Sequence, residues 1–470
     1  MAAARRLRRD LRFPSGTPLI GTPLIGTPLA AVTLACVTLA GCAGSATGTT
    51  TGTTTGATTD STAGSSTAGP AGPAARARTV SDLRAARGRL PRPTGAFRVG
   101  TTAFHLIDRA RRDPWAPERP RELMISVWYP AAPGGGNGTG PAAPHMTPKA
   151  AAHFGSAEGA ATMNLGMPPG RADWAATRTH ARPGAPLDRR AGRLPVVLYS
   201  PGLADPRTFG TALAEDLASR GYAVVTIDHT HEASEVEFPG GRLATGRMLE
   251  GGPPSTPGEV TALLKKVMAA RVADTRFVLG RLPDLERGRP GGLGAALDTR
   301  RVGMAGHSAG GFTAAQAMHD DRRIRAGVNM DGQMDYAGGR PDGSQLSTVA
   351  RNGLDRPLML LGSAPEGDHR GRPSWSAFWR NTRGWKFNGT LRGSRHASYT
   401  DASALLPGMA RGGAIPEGGL AGVIGTIPPE RAIAAERAYV ASFFDRWLRG
   451  RDDGLLDGPS ARFPEMDVAR

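Results

Sequence analysis

Cysteine and lysine are the scarcities of this 470-residue chain: it holds 2 Cys, at positions 36 and 42, and only four lysines, Lys149, Lys265, Lys266 and Lys386. Two thiols near the N-terminus leave none for a disulfide framework or a Cys/His metal cluster in the body of the chain. With so little lysine the basicity is almost wholly arginine, and 58 Lys+Arg against 41 Asp+Glu give a net charge of +17. These arginines are scattered and no recognition motif accompanies them, which argues against a nucleic-acid partner. Charge of this sign favours an anionic membrane or cell-wall surface. A membrane-spanning run is also missing, since the apolar stretch from Leu29 to Ala40 is too short to cross a bilayer. No phosphate-binding glycine loop is present either, and no cofactor or metal is expected.

What is present starts with a positive leader, "MAAARRLRRDLRF", followed by that short apolar stretch, the order of a signal peptide. The stretch ends in Leu39-Ala40-Gly41-Cys42, which resembles a bacterial lipoprotein signal and implies cleavage before Cys42 and a lipid on its thiol. Removing residues 1–41 takes away five Arg and one Asp and lowers the net charge from +17 to +13. The expected location is the outer face of the cell membrane, or the medium if the lipid is not attached. Residues 42–88 are rich in Ser, Thr, Gly and Ala, too polar to repay the entropy of ordering, and read as a disordered tether. A single domain is expected over 89–450, with 451–470 as a loose tail.

Within the domain, short apolar runs alternate with helix-length segments. "LMISVWYP", "LPVVLYSPG", "YAVVTIDH", "RVGMAG", "RAGVNMD", "RPLMLLGS" and "WKFNGTL" read as strands. Runs without polar alternation imply burial on both faces, and interleaved helices imply a mainly parallel sheet. The fold class expected is doubly wound α/β. The helix "SWSAFWRN" and its surroundings carry Trp375, Phe378, Trp379 and Trp385, expected as helix-to-sheet core with an acyl pocket as the alternative. Residues 403–427, apolar without clear period, read as a lid or a passive loop.

In a chain with 65 Gly, "GHSAGG" (Gly306 to Gly311) means little by itself. Its context changes that: Ser308 stands between a buried strand and a helix, where small neighbours let the two pack closely and expose the hydroxyl. A serine nucleophile needs a base, and the base an orienting acid. His396 follows the last strand, whereas His369 precedes it. His307 is expected to point away from the nucleophile, and His229 and His231 to lie at the rim. For the acid two loops qualify, one giving Asp331 and the other Glu366 or Asp368, and the pattern leaves them open.

The stretches "PTGAFRVGTTAFHLIDRARRDPW", "RELMISVWYPA", "GHSAGG" and "ASFFDRWLRG" resemble the platelet-activating-factor acetylhydrolase family of α/β-hydrolases, over roughly residues 90 to 450. The resemblance implies an α/β-hydrolase fold and a Ser-His-Asp triad whose acid lies in a turn matched by "NMDG", favouring Asp331. It also implies an oxyanion hole, for which the backbone N–H groups of Leu203 and Ala309 are expected to serve. Pro201 stands where the family carries histidine, but amides rather than side chains make such a hole. The expected function is a serine ester hydrolase on short-acyl esters or phospholipid acyl groups. The rival reading is a non-catalytic lipoprotein that binds a ligand or partner on the same scaffold.

Overall fold

The computed structural model describes residues 87–133, 141–286, 292–338, 343–416 and 418–469. The expected signal peptide, Cys42 and nearly all of the tether lie outside the described residues.

Among the described residues one ten-stranded sheet organises the chain, in the order β12-β11-β10-β9-β8-β4-β5-β2-β1-β3. Its strands are β1 (Arg98–Arg112), β2 (Pro120–Ala131), β3 (Arg182–Pro183), β4 (Leu194–Ser200), β5 (Ala223–Ile227), β8 (Leu297–His307), β9 (Ile324–Met330), β10 (Leu358–Ser363), β11 (Lys386–Leu391) and β12 (Met466–Ala469). A separate hairpin pairs β6 (Glu235–Phe238) with β7 (Arg242–Thr245). From β5 to β11 neighbouring strands are parallel, while β2 runs antiparallel to both β5 and β1.

Alternate residues of the central strands feed two cores, which is why the apolar runs lack polar alternation. Val196 and Leu198 of β4 join Met304, Leu358 and Leu360 on one face. Val197 and Tyr199 join Ala305, Met359 and Leu361 on the other. The first face is covered by α2 (Pro257–Arg281), α3 (Ala309–Asp320) and α4 (Pro373–Asn381), the second by α1 (Thr211–Ser219) and α7 (Pro429–Arg449). Trp375 and Phe378 are fully buried in the first core, and Trp379 and Trp385 pack against the two cores from the side, so the aromatic set is structural. Segment 403–427 folds as α5 (Ala402–Arg411) and α6 (Gly419–Ile424), packed through Leu405, Leu406, Met409 and Ile424 onto Phe154, Trp174 and Phe209.

Two expectations need correction. The tail is not loose: β12 pairs antiparallel with β11, and Leu455, Leu456, Phe463 and Met466 enter the second core. Proline, glycine and aspartate between these apolar residues hide them in the sequence. The second correction is β1, a fifteen-residue strand on the sheet's antiparallel side that was not anticipated. Its charged and half-buried positions dilute the apolar signal.

Sheet topology places the site. Strand β4 lies between β5 and β8, so the chain leaves β4 in one direction and later returns on the other side. Crevices form at the carboxyl ends of strands where the order reverses in this way. Ser200 ends β4 and His307 ends β8 there.

Candidate active site

Ser308 occupies the turn between β8 and α3 with φ 56° and ψ −123°, a backbone that side chains rarely adopt. Its N–H donates to Met330 O at 2.8 Å, and its carbonyl accepts from Phe312 N at 3.0 Å, so the turn is held at both ends. Close packing demands the glycines of "GHSAGG": a Cβ on Gly306 would lie 2.2 Å from Gly310 O, and one on Gly310 would lie 1.9 Å from Ser200 O.

His396 opens a short turn after β11, and its Nδ1 lies 2.7 Å from Asp331 Oδ2. A carboxylate in contact with Nδ1 fixes the proton there and leaves Nε2 as a bare lone pair. Asp331 follows β9 with φ 60°. It is fully anchored: Ser363 N donates at 2.9 Å, Ser363 Oγ at 2.7 Å and Arg372 Nη2 at 2.5 Å. Burial alone would raise this carboxyl, but the Arg372 guanidinium and the His396 ring outweigh it and hold Asp331 well below the usual carboxylate range. Trp375 adds a support, its indole N–H donating to Gly332 O at 2.7 Å while its ring lies under Arg372.

The competing groups lie elsewhere. Asp368 pairs with Arg370, and Glu366 reaches Gln333 Nε2 at 3.5 Å. His369 stacks on Trp379 with ring centroids 4.0 Å apart and bonds to Asn388. His229 and His231 are not at the rim but buried. His229 bridges Ser200 Oγ at 2.9 Å and Asp274 Oδ2 at 3.0 Å, a polar network that draws the end of β5 inward. His307 is a further correction: it turns into the site, its ring 4.4 Å from that of His396. Its Nε2 lies 2.9 Å from the His396 carbonyl, an acceptor that the loop after β11 supplies and that spacing alone does not reveal.

Ser308, His396, Leu203 and His307 line one pocket of about 60 Å³ together with Asn164, Asp205, Phe209 and Thr400. A larger cavity of about 680 Å³, between Arg89–Arg92 and α7, lacks any serine–histidine pair, so size does not locate the chemistry. Among the described residues the Ser308 hydroxyl and the N–H groups of Leu203 and Ala309 have no hydrogen-bond partner.

Sequence reasoning missed what grips the loop of Leu203. Arg271 of α2, fully buried, donates to Pro201 O at 2.7 Å, Gly202 O at 2.8 Å and Glu232 at 2.8 Å. Glu232 in turn accepts from Ala204 N at 2.9 Å. Leu203 is thus clamped from both sides.

Residues 88–238 match the family model described as platelet-activating factor acetylhydrolase, isoform II. A probable 1-alkyl-2-acetylglycerophosphocholine esterase from Arthroderma benhamiae is 29% identical over 401 residues, covering 80% of this chain and 92% of that protein. The platelet-activating factor acetylhydrolase of the dog, Canis lupus familiaris, is 24% identical over 320 residues, covering 60% of this chain and 66% of its own length. The solved structure of a ferulic acid esterase from Streptomyces cinnamoneus superposes with a TM-score of 0.64 at 36% identity, covering 82% of this chain and 99% of that one. Over residues 88–238 the chain is similar to the platelet-activating-factor acetylhydrolase family, and its fold is that of an α/β-hydrolase esterase. It is a serine ester hydrolase.

Proposed function

We propose that Ser308, His396 and Asp331 are the catalytic triad of this esterase and that it acts on short-acyl esters. The observation that carries the reading is the 2.7 Å contact between His396 Nδ1 and Asp331 Oδ2 beside a pocket that Ser308 and His396 line together. In the proposed steps Nε2 of His396 takes the proton of Ser308 as Oγ attacks the ester carbonyl. Asp331, held ionised by Arg372, stabilises the resulting imidazolium. The free N–H groups of Leu203 and Ala309 receive the developing oxyanion, a role in which one donor contributes about 10²–10³ in rate. His396 then returns its proton to the leaving alcohol, and water enters to hydrolyse the acyl-enzyme by the same relay in reverse. The hydrogen bond from the Ser308 hydroxyl to His396 forms as substrate binds, since catalytic hydrogen bonds commonly close only in the substrate complex.

A pocket of about 60 Å³ has room for only a few water-sized groups, which suits an acyl group of two or three carbons. Relatives whose names specify an acetyl ester of a glycerophosphocholine support the same acyl length. The test is a chain-length series of p-nitrophenyl esters with wild type and Ser308→Ala. The expected result is a preference for acetyl and propionyl esters and a loss on the order of 10⁶-fold in the variant. Retained hydrolysis in Ser308→Ala removes Ser308 as the nucleophile, whereas a wild type that hydrolyses none of the esters favours the rival reading, a binding lipoprotein, for which the His396–Asp331 contact offers no reason.

We further propose that the chain is exported and held at a membrane by a lipid on Cys42, residues 42–88 serving as its tether. Support comes from the leader, the Leu39-Ala40-Gly41-Cys42 sequence and the positive net charge. Radiolabelled palmitate is expected to enter wild type and not Cys42→Ser; label retained in the variant removes the anchor.

A further inference from the structure

Two polar groups in the pocket take no part in these steps. Asp205 is buried, its Oδ1 accepting from Asn164 Nδ2 at 2.6 Å, and among the described residues no cation lies within ion-pairing distance of it. His307 is the other. Its Nε2 faces the His396 carbonyl at 2.9 Å and must carry the proton, because a carbonyl only accepts. Nδ1 is therefore a bare acceptor, and it is buried with no donor among the described residues. Burial, aided by the neighbouring His396 ring, pushes His307 down to about 3, so the imidazole stays neutral.

Both unmet groups converge on one point. A Cβ on Gly202 would sit 2.5 Å from Asp205 Oδ2 and 3.2 Å from His307 Nδ1, so only a glycine lets both groups pack this close to the loop, and all three residues line the pocket of Ser308. Buried polar groups without partners are costly, and a ligand that supplies them binds selectively. The partner required donates one hydrogen bond to Nδ1 and shares another with a carboxyl. A hydroxyl does both and a methyl does neither. Burial also lifts the Asp205 carboxyl to about 7, so it can offer a proton as well as accept one.

We propose that Asp205 and His307 form a hydroxyl-binding subsite that selects esters bearing an alcohol group within two carbons of the ester linkage. This deepens the reading of Ser308 as nucleophile and rests on it, since the subsite adjoins that serine in one pocket. The hydroxyl belongs either to a hydroxyacyl group or to a glycol-type alcohol; the chemistry at Asp205 is the same.

The test uses the full-length chain as Cys42→Ser, with and without Asp205→Ala. One arm compares kcat/KM for p-nitrophenyl hydroxyacetate and p-nitrophenyl acetate. The second compares 2-hydroxyethyl acetate and propyl acetate by acid release. Each arm yields a ratio that does not depend on how much of a variant is folded. A fall of about tenfold in one ratio is expected for Asp205→Ala, and the arm that falls assigns the hydroxyl to the acyl or the alcohol side. Asp205→Asn, which keeps a partner for Asn164, is expected to lower the same ratio by less, and it serves if the alanine variant does not accumulate. Changes below about threefold in both arms overturn the subsite and leave Asp205 a structural residue. Failure of the underlying reading has a different signature, activity that survives Ser308→Ala.

Discussion

Arg271→Met probes how the loop of Leu203, proposed to receive the oxyanion, is held. The guanidinium ties α2 to two successive carbonyls, those of Pro201 and Gly202, and to the Glu232 carboxylate that holds Ala204 N. Two consequences separate. Removing the cation strands Glu232, which is buried, and breaking such a pair costs about 3–5 kcal/mol in stability. The double variant Arg271→Met, Glu232→Gln has no stranded charge, and its Tm is expected to recover most of that loss. Catalysis does not recover with it. With the carbonyls released, the Leu203 amide is free to turn away, and the ceiling on the damage is the loss of one oxyanion donor, about 10²–10³ in kcat. A fall of about 10²-fold in kcat is expected, with KM for p-nitrophenyl acetate nearly unchanged, because the interaction forms only as charge develops. Thermal melting and fluorophosphonate labelling of Ser308 give the folded, reactive fraction for normalisation. A double variant with near-parental Tm and parental kcat refutes the dependence of the oxyanion loop on this clamp.

Asp331→Asn is expected to lower kcat by about 10⁴, since the wrong imidazole tautomer is then favoured, whereas Asp368→Asn stays within about twofold; equal losses on p-nitrophenyl acetate would contradict the assignment of the acid. Glu215 governs a stability effect. This buried residue of α1 accepts from His180 N and Ala181 N through Oε1, and burial pushes it up to about 8. An unfolded glutamate titrates near about 4.3, so the folded value is raised, and the stabilisation is complete below that pH and lost as pH rises through 8. Urea midpoints of wild type should therefore fall between pH 5 and pH 9, and Glu215→Gln should flatten the fall by on the order of a few kcal/mol; parallel slopes would exclude Glu215 as its source.

The sequence is most informative where one run of residues satisfies one local rule. "RVGMAGHSAGG" states strand, turn and helix in eleven letters, and the fully apolar β4 declares burial on both faces. The choice of Asp331 over Glu366 or Asp368 is a different matter, because two loops after neighbouring strands qualify and spacing does not rank them; only the resemblance does. The polar scaffold was hidden altogether. Arg271 lies in "KKVMAARVADTR", which reads as an ordinary solvated helix face, and Asp274 three residues on bonds His229 and Arg121 in the interior. Arg372 precedes a proline in a loop and shows no motif, yet it reaches Asp331. Such partners are defined by distance in space, and periodicity carries no information about which buried carboxylate an arginine will meet. The tail failed for the converse reason: its four apolar side chains are separated by turn residues, so no window is hydrophobic enough to announce a strand.

Backbone strain adds the last step, because it shows what the hidden scaffold is for. Among the described residues, five non-glycine positions have positive φ: Ala204, His231, Glu286, Ser308 and Asp331. Three of them belong to the site. Each such conformation costs about 1–3 kcal/mol and persists only where neighbours over-determine it. The restraints are visible in every case. Ala204 is tied through N–H to Glu232 and through its carbonyl to Ser234 N; Ser308 N–H is held by Met330 O and Asp331 N–H by Leu361 O. Strands β9 and β10 thus supply acceptors that hold the turns after β8 and β9, while α2 supplies the cation that holds the turn after β4. An extended continuation at any of the three would send the side chain or amide along the strand instead of into the crevice. The parallel sheet is therefore more than a support, since its carboxyl edge provides the hydrogen bonds that keep three unfavourable turns aimed at one pocket.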